Sequence, residues 1–97
     1  MIKYLVEFIG TFIFISIILN SSRPQYSSYA PLAIGLGLAV VIQFGGFISG
    51  GHYNPAVSFS SYLDNRISSN DLISYIIVQI LAAYVAKYFF DKTKNIP

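Results

Sequence analysis

Few side chains in this sequence could do chemistry, and they stand far apart in apolar surroundings: Glu7, His52, Asn54, Asp64, Asp71 and Gln79. His52 is the only histidine and there is no cysteine, so a metal centre or a histidine-based catalytic set lacks its other members. Glu7, His52, Asp64 and Asp71 offer no nucleophile and base at a common depth, so neither enzyme activity nor a metal or other cofactor is expected. What remains is the chemistry of hydrogen bonding. Glu7 lies inside an apolar run, where an ionised carboxylate is costly unless it has partners, so it should face protein, with Thr11 one turn on along the same face. It can carry a proton or accept N–H groups from irregular backbone; the second role is favoured, because backbone without water needs an acceptor. The same logic makes Gln79 an interhelical hydrogen-bond partner rather than a solute contact. His52 reads as a loop residue bonded to backbone or to Glu7, with a pH-responsive gate as the alternative.

The irregular backbone is Ser49 to Phe59, SGGHYNPAVSF. An Asn followed by Pro starts a helix: the Asn side chain caps free N–H groups, and Pro suits the first helical position. A helix from Pro55 then has only AVSFSSYL before Asp64, Asn65 and Arg66, far short of the roughly 20 residues a membrane span needs. Such a segment enters a bilayer without crossing it, and its unpaired backbone is tolerated only against protein or a water-filled cavity. That points to a pore. Asn54 can cap the half-helix with its oxygen while its amide donors face the lumen, backed by a helix terminus equivalent to roughly half a positive charge.

The remaining elements must hold this segment in place. With 97 residues, 55% apolar side chains, 10% charged and a mean hydropathy of +0.61, the chain reads as one small membrane domain rather than a soluble one. Spans are expected at about 3–20, 31–48 and 71–90, with the re-entrant loop and half-helix at about 49–62, giving an all-α membrane protein. A signal peptide is the rival reading of the first run, opposed by Glu7 within it and by the lack of a small-x-small cleavage site before Asn20. A polar loop, NSSRPQYSSYAP, joins the first two spans. Gly46 and Gly50 give a small-xxx-small spacing at the end of the second, and Ala82, Ala83 and Ala86 a small face on the third. Asn70 and Asp71 are the expected N-cap of the third span, and DKTKNIP is expected to be a flexible tail. The net charge of +2 comes without any run of like charges, so no nucleic-acid partner is expected.

NPA after ISGGH resembles the pore loop of the aquaporin and glycerol-channel (major intrinsic protein) family. EFIGTF, PLAIGL and YIIVQ match further family segments at the usual spacing, and the resemblance runs from about Lys3 to Phe90. It implies half of an aquaporin-like fold, since the family's usual protein carries two such repeats in inverted orientation. It also implies that Asn54, Pro55 and Ala56 form the pore motif, that Glu7 supports the loop, and that Ile34, Ile42, Gly51 and Val57 take the four constriction positions. All four are apolar, and Val57 stands where the family's second repeat has an Arg.

A single repeat walls half a lumen and leaves its half-helix end facing lipid. The simplest closure is a second copy in inverted orientation, with the half-helices meeting N-terminus to N-terminus. By analogy with the family, such pairs would associate in fours. Lys3 and Arg66 fall on one side, and Arg23, Lys92 and Lys94, with Lys87 nearby, on the other. That bias is too weak to fix one orientation, so dual topology is expected. The expected function is a passive channel for water or glycerol-like solutes in the cell membrane. The alternatives are a non-conducting structural half that needs a different partner, and a fragment of a longer channel.

Overall fold

The computed structural model describes all 97 residues, and every regular element is helical. Helix α1 runs Ile2–Ser21, a 3-10 helix Pro24–Tyr29, α2 Ala30–Ser49, α3 Pro55–Leu63 and α4 Ser69–Thr93. At 1.5 Å per residue, α1 and α2 are about 30 Å long and α4 about 37 Å, enough for a hydrocarbon core of about 30 Å. The nine residues of α3 reach only about 14 Å. Three helices are therefore long and apolar enough to cross a membrane, and α3 is not.

Helix α1 is the middle of the assembly, packed against α2 on one side and α4 on the other, while α3 packs on α4. The buried stripes follow helical spacing: Val6, Glu7, Gly10 and Thr11 on α1, Gly37, Val41, Gly45 and Ser49 on α2, and Tyr75, Gln79, Ala82 and Ala86 on α4. Small residues set the approach distance. A Cβ on Gly10 would overlap the Tyr53 ring, one on Gly45 would overlap Val6, and one on Gly37 would lie 2.7 Å from Ile17 Cδ1. Only 15 of 97 residues are buried, so most of the apolar surface faces outward, including Leu32, Leu36, Val40, Phe44 and Phe47 of α2.

Four local expectations change. The close-packing glycines of α2 are Gly37 and Gly45, not Gly46 and Gly50. A Cβ on Gly46 would meet only Ile42 at 3.5 Å, and Gly50 instead ends α2 in a left-handed conformation at φ 93°. The cap of α4 is Ser68, whose hydroxyl accepts from the Asp71 N–H at 3.1 Å. Asp71 sits inside the first turn and accepts instead from Lys3 Nζ at 2.7 Å and Tyr4 Oη at 2.6 Å, tying the start of α1 to the start of α4. The helix also continues through Asp91 to Thr93, where the pairs Lys87–Asp91 and Asp91–Lys94 hold the last turn. Finally, the polar connection after α1 is largely the 3-10 helix, begun by Pro24.

The glycine contacts give a paired test. Gly10→Ala should lower resistance to unfolding in detergent by about 1–3 kcal/mol, because Tyr53 must move. Gly35→Ala, with nothing within 4 Å of the added methyl, should be neutral or slightly stabilising. Denaturant titration followed by helicity would compare them, and equal losses would mean that Gly10 is not a packing contact.

Candidate functional site

The Gly50 N–H still closes α2 on Gly46 O at 2.9 Å, but beyond it the chain leaves the helix, with Gly51 and Tyr53 left-handed and Asn54 extended. Glu7 accepts two of the N–H groups released there, those of His52 and Tyr53. Its Oε2 takes the His52 N–H at 3.0 Å and the Ser49 hydroxyl at 2.6 Å, and its Oε1 takes the Tyr53 N–H at 2.7 Å and Gln79 Nε2 at 2.9 Å. All four partners are donors, the set a carboxylate requires, and Glu7 is fully buried. One side chain on α1 thus joins the end of α2, the loop and α4.

Tyr53 is the residue the sequence reading missed. It holds φ 55°, a costly conformation for a large side chain, and is kept there by its N–H bond to Glu7, its hydroxyl bond to Val41 O at 2.6 Å and its ring against Gly10. Gly10 lies eight residues into α1, about 12 Å along a helix of about 30 Å, so the loop sits well inside the span. The available signal was the pair of glycines, Gly10 and Gly45, flanking a loop aromatic. The Ser residues of the network were also missed. Ser58 Oγ accepts from Gln79 Nε2 at 2.8 Å and faces His52 Nδ1 at 2.9 Å, fixing α3 to the loop and to α4. Ser49 Oγ accepts the Gly51 N–H at 3.2 Å.

His52 is buried, but its ring does not reach Glu7; only its backbone N–H does. The ring lies between Ser58 and Tyr75, whose centroid is 5.1 Å away, and Tyr75 donates to Ser49 O at 2.6 Å. Thr11 shares the buried face with Glu7, as its spacing implies, and its hydroxyl has no protein partner.

Asn54 stands in extended conformation at the start of α3, its Oδ1 accepting from the Ala56 N–H at 2.8 Å and its carbonyl from the Ser58 N–H at 3.1 Å. Its Nδ2 is free within the chain. Asn54, Ala56, Val57 and Phe59 are all exposed, so the positive end of α3 projects from the fold with no acidic residue in its first turn. Pro55 is half-buried at the first helical position. Of the four candidate constriction residues, Ile42 lies beside Gly51, where an added Cβ would be 3.5 Å from Ile42 Cγ1. Val57 is exposed on α3, and Ile34 sits eight residues before Ile42, about 12 Å away along α2. One chain therefore presents these positions at two levels rather than as one ring.

A family model described as Major intrinsic protein matches residues 1–95. Among curated relatives, Glycerol uptake facilitator protein-like 6 of Lactiplantibacillus plantarum is 46% identical over 89 residues, covering 87% of this chain and 40% of that protein. Aquaporin TIP1-2 of Musa acuminata is 39% identical over 94 residues, covering 84% and 37%, and Aquaporin Z of Brucella melitensis 38% over 93 residues, covering 87% and 40%. The chain spans about two fifths of the length of these relatives.

The Glu7 network makes a specific prediction. Glu7→Leu leaves the His52 and Tyr53 N–H groups without an acceptor, at roughly 1–3 kcal/mol for each buried group. Glu7→Gln keeps one acceptor oxygen and should lie between the two. Hydrogen exchange in detergent should speed up first at residues 50–54 while the middle of α1 stays protected. Uniform loss of protection along α1 instead would show that the carboxylate supports the whole bundle and not the loop.

Proposed function

This chain belongs to the major intrinsic protein family, and on that premise we propose that it forms half the wall of a channel for small uncharged solutes, completed by a second copy in inverted orientation. It is an integral membrane protein; its placement in the cell membrane in both orientations is part of the proposal. The observation that carries the reading is the exposed end of α3, where Asn54 spends its oxygen on the cap and keeps its amide donors free. A passing hydroxyl or water oxygen can accept from them, and nothing in the chain covers them. Two such ends facing each other would put two Asn54 amides at the centre of one pore, with Pro55 and Ala56 completing the motif. The pairs would gather into a tetramer by analogy with the family.

In this reading solute choice follows from Ile34, Ile42, Gly51 and Val57, which are apolar at both of the levels where they lie. An apolar constriction without Arg offers wall to a carbon backbone and no fixed charge, so glycerol-like solutes should pass readily and ions should not. The names of the relatives include both a glycerol facilitator and aquaporins. Glu7, His52 and Gln79 act in this reading as loop supports, and no covalent step is involved.

Proteoliposomes made with this chain alone should shrink and reswell in a glycerol gradient, and Asn54→Ala should lower the flux several-fold. Val57→Arg should cut glycerol more than water. No flux from correctly folded wild type would overturn self-pairing and leave a half that needs a different partner. A C-terminal tag should be reached from both faces of intact cells. Adding Lys residues to one side should abolish flux, with oppositely biased variants restoring it when co-expressed.

A further inference from the structure

The charge of this chain is unevenly divided between its two ends. At the end formed by the starts of α1 and α4, Lys3 pairs with Asp71 at 2.7 Å and Arg66 with Asp64 at 2.7 Å, so each basic side chain has its own carboxylate. The other end carries Arg23, Lys87, Lys92 and Lys94 against one acidic side chain, Asp91. Asp91 is already shared, at 2.5 Å from Lys87 and 3.5 Å from Lys94.

Three of those cations also converge. Arg23, Lys87 and Lys94 lie 5.4, 5.8 and 5.9 Å from the ring centroid of Phe90, and Arg23 donates to the Lys94 carbonyl, bringing the turn after α1 onto the end of α4. Beside them opens a cavity of about 490 Å³, lined by Ser22, Arg23, Gln25, Lys94 and Asn95 with Leu19 and Phe90 at its apolar edge. One shared carboxylate and the roughly half negative charge at each of the C-terminal ends of α1 and α4 only partly neutralise three cations held this close, which leaves the cluster able to take an anion. The cavity lies where spanning helices give way to polar turns, with Tyr26, Tyr29 and Tyr88 exposed nearby, the usual level of interfacial aromatics. Its walls change from Leu19 and Phe90 to Arg and Lys within one pocket, matching a ligand with an acyl chain below and a phosphate above.

We propose that this cavity binds the headgroup of an anionic phospholipid. Arg23 and Lys94 contact the phosphate, and Gln25, Ser22 and Asn95 supply further polar contacts to the headgroup. Arg23 presents a planar fork suited to phosphate oxygens, and Lys94 a mobile point charge. The site does not depend on the channel reading or on pairing.

The test uses the full chain in nanodiscs of phosphatidylcholine, with phosphatidylglycerol added stepwise and bound lipid counted by native mass spectrometry. Wild type should retain phosphatidylglycerol over phosphatidylcholine. Arg23→Gln and Lys94→Gln should each weaken retention about five-fold, the effect of removing one charge near a membrane surface. Arg66→Gln, at the other end, should leave it unchanged. If Arg23→Gln fails to fold, Lys94→Gln carries the comparison, because Lys94 is exposed and Arg23 half-buried. Three results would overturn the proposal: no preference for phosphatidylglycerol, an equal loss in Arg66→Gln, or displacement of the lipid by millimolar glycerol phosphate as effectively as by phosphatidylglycerol. The last would indicate a site for free phosphate.

Discussion

The structure depends on one buried carboxylate meeting backbone that has no other acceptor. Irregular chain inside a bilayer exposes N–H groups to a medium that cannot bond them, and a lone carboxylate there is costly for the opposite reason. Put together, each removes the other's penalty. The Glu7 bonds to His52, Tyr53, Ser49 and Gln79 are charge-assisted, each on the order of 1.5–3 kcal/mol, which offsets a desolvation cost of several kcal/mol for the ion. Without that exchange, the His52 and Tyr53 N–H groups would leave helical geometry at this depth with no acceptor.

Tyr53 converts this local bargain into a fixed direction for the half-helix. Its φ of 55° turns the chain sharply, and a turn alone could swing. The ring seated between Gly10 of α1 and Gly45 of α2, with its hydroxyl on Val41 O, removes that freedom. Ser58 then fastens the first turns of α3 to Gln79 of α4. Three spanning helices thus each hold the segment at a different point, and the packing that brings α1 close to α2 is also the packing that makes room for Tyr53. Stability and site geometry rest on the same contacts.

The features legible in the sequence were those written in composition and spacing. Three apolar runs, the short segment after Asn54-Pro55, and a buried role for Glu7 and Gln79 all follow from length, polarity and the needs of backbone. What escaped depends on which residues meet across elements. Gly46 and Gly50 have the right spacing for helix packing, but Gly50 is needed to end α2, so the approach falls to Gly37 and Gly45 one face over. Asp71 resembles a cap until Lys3 and Tyr4, nearly seventy positions earlier, are seen to claim its oxygens and Ser68 takes the cap instead. Tyr53 and Ser58 look like ordinary loop and helix residues because nothing local marks a partner. Among the constriction residues, the resemblance supplied positions and the expected span already set Ile34 two turns from Ile42, but only the fold brings Ile42 beside Gly51 of the loop.

The exposed end of α3 raises a physical question for the proposed pair, since two helix N-termini brought together carry like charge. Taking each as roughly half a charge, about 8 Å apart at an effective dielectric constant of about 20, the repulsion is on the order of 0.5 kcal/mol. In lipid the opposing term is van der Waals packing, for which α2 exposes Leu36, Val40, Phe44 and Phe47, and it needs to supply only that much. A whole cation about 5 Å from both ends meets something different, on the order of 3 kcal/mol of repulsion by the same estimate. It must also give up water to a wall of apolar residues. A neutral hydroxyl meets neither cost and gains the Asn54 donors. In the proposed pair, the arrangement that weakly opposes assembly would therefore strongly oppose ions, and the difference arises because two half charges act on each other as a product but on a passing ion as a sum.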